Sequence, residues 1–302
     1  MIRQSNTSGV ATPRRFSSIA ALVLCLALTG CSSVFLYPDR VQYFPNRSLE
    51  TAVEDVWIDA PEAGRLHALH LPARGGPRAA VLFLHGNAEN LSSHVHAVAW
   101  LPAQGYTVLA LDYRGFGRST GKASVAAAHE DAETALAWLA DRESDLPLIV
   151  YGQSLGASIA LRLVAQTPRR ARIAAVLAES PFSSYRRIAR EKLGQAWLTW
   201  PLQWPLSLLI SDRYSAVDVV GRISPIPLLL IHGQRDVIVD ASHSQRLFAA
   251  AGEPKELWLV PEGRHIDAPR REAGRSRVLD FMNSATERGG FAVPSAVSGG
   301  DP

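Results

Sequence analysis

The 302-residue chain contains only two cysteines, Cys25 and Cys31, both within its first 31 residues. A domain built from the remainder has no disulfide, no thiol nucleophile and no metal site made of cysteine. An excess of one charge is also lacking. Arg3, Arg14 and Arg15 stand in the first thirty residues, where there is no acid, and the rest of the chain holds 28 basic against 28 acidic residues. That balance gives no support to a nucleic-acid surface. Long apolar runs are missing too. The stretch from Ile19 to Leu28 spans about ten residues, whereas a membrane-crossing helix needs roughly twenty. There is no internal repeat. What the chain does have is 47% hydrophobic residues over a length at which α/β folds commonly form one domain with a full-sized core.

A positive region ending at Arg14-Arg15, the short apolar stretch and Leu28-Thr29-Gly30-Cys31 together read as an export signal. The last four residues resemble the bacterial lipoprotein processing site, in which a small residue before Cys permits cleavage and the Cys sulfur carries the lipid. The resemblance implies a signal peptide over residues 1–30 and lipidation at Cys31. With Ser32 following, it further implies a lipid-anchored protein of the bacterial cell envelope, at the outer membrane and facing the periplasm. An uncleaved anchor is the alternative. Residues 31–50 carry Pro38, Pro45, Asn46 and aperiodic aromatics, and are expected to tether the domain and lie against it.

From there strands and helices alternate. Ala52 to Ile58 and Leu66 to Leu71 read as paired strands around a turn. Ala79 to Leu84 is continuously apolar, as a strand buried on both faces should be. Tyr106–Leu111, Leu148–Tyr151, Ala174–Ala178, Leu228–Ile231 and Leu257–Val260 repeat that character. Helical patterns fall at about Ser92–Leu101, Val125–Leu139, Ala157–Ala165, Ser242–Ala251 and Pro269–Met282. Such alternation implies a mostly parallel sheet covered by helices on both sides. The main domain is expected over residues 51–283, with a Gly-, Ser- and Pro-rich disordered tail over 284–302.

Gly152-Gln153-Ser154-Leu155-Gly156 lies between a predicted strand and a predicted helix, the context a nucleophile elbow requires. The pattern alone arises by chance in roughly one chain in ten of this length, so its surroundings must carry it. His85-Gly86-Asn87-Ala88 ends an earlier buried strand, where the backbone N–H of Asn87 could meet an oxyanion beside that of Leu155. The His85 side chain is expected to bond backbone instead. Asp236 follows the Leu228 strand and His265 follows the last one, so Ser154, Asp236 and His265 form a candidate triad in the chain order of one known fold. Asp240 reads as a helix cap rather than as the acid.

These segments, with Asp112-Tyr113-Arg114-Gly115-Phe116-Gly117-Arg118-Ser119 and Glu179-Ser180-Pro181-Phe182, resemble the α/β-hydrolase superfamily, and within it the small esterases and thioesterases of the prolyl-oligopeptidase-like clan that lack a propeller. The likeness runs from about residue 50 to 283. Arg264 departs from it, standing where related chains often have a small residue. The resemblance implies an eight-stranded sheet with the second strand antiparallel, a structural turn at Asp112 to Ser119, and a helical lid over about 183–216. It implies hydrolysis of a carboxylic ester or thioester through an acyl-enzyme, with no metal and no organic cofactor. An amidase or peptidase using the same triad, and a catalytically silent lipid-anchored binding protein, remain as alternatives. The lid stripe Trp197, Leu198, Trp200, Leu202, Trp204, Leu206, Leu208 and Leu209 has three open readings: shaping a pocket for a hydrophobic acyl group, packing onto the domain, or touching a membrane surface. Oligomeric state is not legible.

Overall fold

A computed structural model of the chain describes residues 36–62 and 64–288. The expected signal peptide, Cys31 and residues 289–302 lie outside the described residues. Eight strands form one sheet: β1 (Glu54–Ala60), β2 (Gly64–Leu71), β3 (Ala79–Leu84), β4 (Tyr106–Leu111), β5 (Leu148–Gln153), β6 (Ile173–Glu179), β7 (Leu228–Gly233) and β8 (Lys255–Val260). Their order is β1-β2-β4-β3-β5-β6-β7-β8. As expected, β2 is antiparallel to both neighbours while β3 to β8 pair in parallel.

The continuous apolar runs have a direct cause. Every residue of β3 to β7 is buried, because successive side chains enter two different cores. Leu82 and Leu84 meet α2 (Val125–Arg142) and α3 (Leu155–Gln166) on one face. Val81 and Phe83 join Leu91, Val95, Val278 and Met282 on the other. β8, at the edge, is less buried.

Two helices differ from expectation. Over Ser92–Leu101 there is only α1 (Leu91–His94), started by the Asn90 side chain accepting the Ser92 N–H, then 3-10 turns at Val95–Ala97 and Leu101–Gln104. Pro102 lacks the N–H a continuing helix needs, and Gly105 at φ +84° turns the chain into β4. At the other end, Pro269 sits in a 3-10 turn, Ala268–Arg270, and extended Arg271 separates it from α7 (Glu272–Arg288). Buried Ala285 and Thr286 carry that helix past Met282, so residues 284–288, expected in the disordered tail, are helical. Between β6 and β7 the insertion forms α4 (Tyr185–Gln195), a 3-10 turn at Trp200–Leu202 and α5 (Gln203–Leu208). α6 (Ser242–Ala250) joins β7 to β8.

Candidate active site

The turn from β5 into α3 is crowded enough to specify its residues. A Cβ on Gly152 would lie 2.2 Å from the Gly156 carbonyl oxygen, and one on Gly156 would lie 2.0 Å from that of Leu84. Only glycine fits at either end. Ser154 between them is held at φ +54°, ψ −113°, a conformation an L-residue adopts only under constraint. Its N–H donates to the Glu179 carbonyl at 2.8 Å. Leu155 opens α3, so its N–H belongs to the first turn, where a helix supplies no acceptor.

Asp236 and His265 meet. His265 Nδ1 lies 2.7 Å from Asp236 Oδ2, with the Asp236 side chain fully buried. The other oxygen, Oδ1, accepts the N–H groups of Ile238 and Val239 at 2.8 and 2.9 Å. Burial works against the charge, but the hydrogen bonds from His232, His265 and Val239 outweigh it and hold this carboxyl well below the usual carboxylate range. His232 is itself occupied: Nε2 lies 2.8 Å from the Val239 carbonyl oxygen and Nδ1 2.7 Å from Ser244 Oγ. Asp240 accepts the Ser242 N–H at the start of α6.

Backbone contact stitches the acid loop to the histidine loop. Arg235 N–H donates to Gly263 O, and a Cβ on Gly233 would fall 2.3 Å from that same oxygen. Arg264, the departure from the family pattern, contributes its carbonyl to this contact and is itself exposed. No hydrogen bond joins Ser154 Oγ to His265 among the described residues, so of the three candidate residues the structure pairs Asp236 with His265.

Glu179 links the two halves. It is buried at the end of β6 and accepts from Tyr151 Oη at 3.0 Å, Gln153 Nε2 at 2.7 Å and the backbone N–H of Ala268 at 2.9 Å. Burial pushes its carboxyl up, against those three donors. The sequence offered a signal for this role that went unassigned: a carboxylate closing an otherwise apolar strand must find partners.

On the third side, His85-Gly86-Asn87-Ala88 passes close to Ser154, since a Cβ on Gly86 would stand 3.4 Å from that of Ser154. His85 Nδ1 lies 2.7 Å from the Gly86 carbonyl. The side-chain oxygen of Asn87 accepts the N–H groups of Ala88 and Tyr37. Asp112 sits beside this loop and accepts the Leu91 N–H, while Tyr113 Oη donates to the His85 carbonyl. Five non-glycine residues among those described have positive φ: Ala88, Glu89, Ser154, Ser180 and Ile266. All five follow the C-terminal ends of β3, β5, β6 and β8, the edge where open α/β sheets bind ligands.

A cavity of about 570 Å³ opens above Ser154 and Leu155. Its walls are Tyr37, Asn87, Phe182, Tyr185, Ile238 and Val239, with Ile188, Ala189, Lys192, Leu193, Ala196, Thr199 and Ile210 of the insertion. Lys192 is the one charged residue in that lining. The aromatic stripe lies elsewhere: Trp197, Trp200 and Trp204 are 86%, 61% and 64% exposed, which removes the reading that they pack onto the domain. Tyr37 was not anticipated, because nothing singles out one aromatic among several in an aperiodic segment. No group of His, Cys, Asp or Glu arranged to hold a metal occurs among the described residues.

A family model described as serine aminopeptidase, S33, matches residues 75–215, a span that includes Ser154 and stops before Asp236 and His265. Together with the sheet order and the elbow, this settles the class. The chain belongs to the α/β-hydrolase superfamily. It is similar to the uncharacterized protein YfhR of Escherichia coli K12, 35% identical over 276 residues that cover 88% of this chain and 92% of that protein. It is also similar to the α/β-hydrolase domain-containing protein WAV2 of Arabidopsis thaliana, 28% identical over 72% of this chain and 74% of that one. Among solved structures, the esterase Pf2001 of Pyrococcus furiosus has the same fold, with a TM-score of 0.68 at 24% identity over 83% of this chain and 100% of its own.

Proposed function

We propose that the protein hydrolyses a carboxylic ester or thioester with a hydrophobic acyl group. Ser154 attacks the carbonyl, His265 Nε2 takes its proton, and Asp236 fixes the tautomer that carries the other proton on Nδ1. The N–H groups of Asn87 and Leu155 receive the oxyanion. As the tetrahedral intermediate collapses, His265 gives that proton to the departing alcohol or thiol and the acyl-enzyme is left; water, activated by the same histidine, then releases the acid and restores Ser154. The missing Ser154–His265 hydrogen bond fits this scheme, because such bonds often tighten only when substrate arrives.

One observation carries the reading: Ser154, strained at φ +54°, stands on the floor of an apolar cavity among four other strained residues at one sheet edge. The cavity also bears on the peptidase alternative, in the form that takes a free amino terminus. A free α-ammonium needs an anion, and the cavity lining contains Lys192 and no carboxylate. The test is labelling by a fluorophosphonate probe, with turnover of p-nitrophenyl esters and matched anilides. Labelling lost in Ser154→Ala, and ester cleavage exceeding anilide cleavage, are expected. Retained ester turnover in Ser154→Ala would overturn the assignment.

A further inference from the structure

The lid presents a surface that neither the fold nor the proposed catalysis uses. Trp197, Leu198, Trp200, Leu202, Trp204 and Leu208 are each more than half exposed, within twelve consecutive residues. Large apolar side chains clustered in water mark a contact surface. Their charge setting is distinctive as well. Residues 183–216 hold five basic side chains against two acidic ones, although residues 31–302 as a whole are balanced. One of these bases stands directly on a ring: the Arg190 guanidinium lies 4.1 Å from the Trp204 ring centroid. Exposed tryptophan and leucine on a segment with a basic excess suit the boundary between acyl chains and anionic headgroups, where the cations stay with the phosphates.

The position of this patch matters for the cavity. Ala196 and Thr199 line it while their neighbours Trp197, Leu198 and Trp200 face out, and Ile238, 49% exposed, stands on the facing rim. Tyr37, also on the rim, is six residues after Cys31. At about 3.5 Å per residue an anchor there is within roughly 20 Å of the opening. That last point rests on lipidation of Cys31; the exposed rings and their charge do not. No helix among the described residues is long and apolar enough to cross a membrane.

We propose that the lid docks on an anionic lipid bilayer, with Trp197, Trp200 and Trp204 at acyl depth, so that the cavity takes its acyl substrate from the membrane.

The test uses the full chain in vesicles of phosphatidylglycerol and phosphatidylcholine whose acyl chains carry bromine, a contact quencher of tryptophan. The lid holds three of the seven tryptophans. Wild type is expected to lose roughly the lid's share of its fluorescence, and W197F/W200F/W204F to lose several-fold less. Because these rings are exposed the variant keeps its fold, and the three single variants repeat the reading ring by ring. R190E/K192E, which reverses charge on the lid, is expected to weaken quenching, as is raised ionic strength. Ser154→Ala should quench like wild type, so a failed catalytic assignment leaves this readout intact. Equal quenching in wild type and the triple variant overturns docking. Unquenched lid tryptophans also overturn it, whether crosslinking then joins two lids, making the occupant a second copy, or joins the lid to residues 1–35 of its own chain.

Discussion

Gly233→Ala offers a sharp test, because it alters no side chain of the candidate site. The added Cβ would lie 2.3 Å from Gly263 O and 2.4 Å from Arg264 O, and real contacts of this kind stay beyond 3.0 Å. Both obstacles are backbone, so no side chain can swing aside. The histidine loop must retreat by about 0.7 Å or more, and it carries His265 two residues further on. A hydrogen bond of 2.7 Å between His265 and Asp236 stretched by that amount reaches the limit of useful geometry. Misplacement of a catalytic group by about 1 Å costs on the order of 100-fold in rate. Forced overpacking costs about 1–3 kcal/mol of stability. Purified variant and wild type are compared by kcat on a p-nitrophenyl ester and by urea denaturation. A fall in kcat of about two orders of magnitude, with fluorophosphonate labelling of Ser154 slowed in parallel, is expected. Unchanged kcat in a variant destabilised as calculated would refute the role given to the Asp236–His265 pair.

Other predictions concern separate parts of the molecule. Arg114 pairs with fully buried Asp131 through Nη2 at 2.6 Å and Nε at 2.7 Å; Arg114→Ala strands that carboxylate and should cost about 3 kcal/mol or more in urea denaturation, whereas a change within error would show the pair to be dispensable. Because the folded protein holds the Asp236 carboxyl below the usual carboxylate range, folding releases its proton in the acid range. Its contribution is therefore present above about pH 4, the unfolded value, and is lost as pH falls further. Asp236→Asn should lower the urea midpoint at pH 7 and flatten its decline between pH 5 and 3; an unchanged slope would contradict this. Cys31→Ala is expected to abolish lipid labelling and release the protein from the envelope fraction, and unchanged mass and retention would count against lipidation.

Much of this architecture was readable because the sheet interior leaves no choice: strands buried on both faces spell themselves as Ala79–Leu84 or Leu228–Ile231. The elbow glycines were readable for the same reason, since collisions of about 2 Å admit nothing larger. Less was legible where tertiary contacts override local pattern. Ser92 to Leu101 has helical spacing but gives way to 3-10 turns after His94, with Pro102 and Gly105 just beyond it, and the end of α7 was obscured because Ala285 and Thr286 look like tail residues until a core is present to bury them. The Asp236–His265 contact could be inferred from chain order together with the place of each residue just after a strand. The cavity wall at Tyr37 could not, because that residue arrives from a segment without periodicity.

The buried Glu179 carboxylate has a consequence for how this scaffold tolerates change. By holding Tyr151, Gln153 and Ala268 at once, it fastens the strand that presents Ser154 to the loop that presents His265. The proposed triad is thereby held on one frame, while the cavity's shape comes mainly from an insertion attached outside it. Exchanging residues of that insertion can redirect what the protein accepts without retuning how it cuts, so new specificities are open to this chain through a single surface segment.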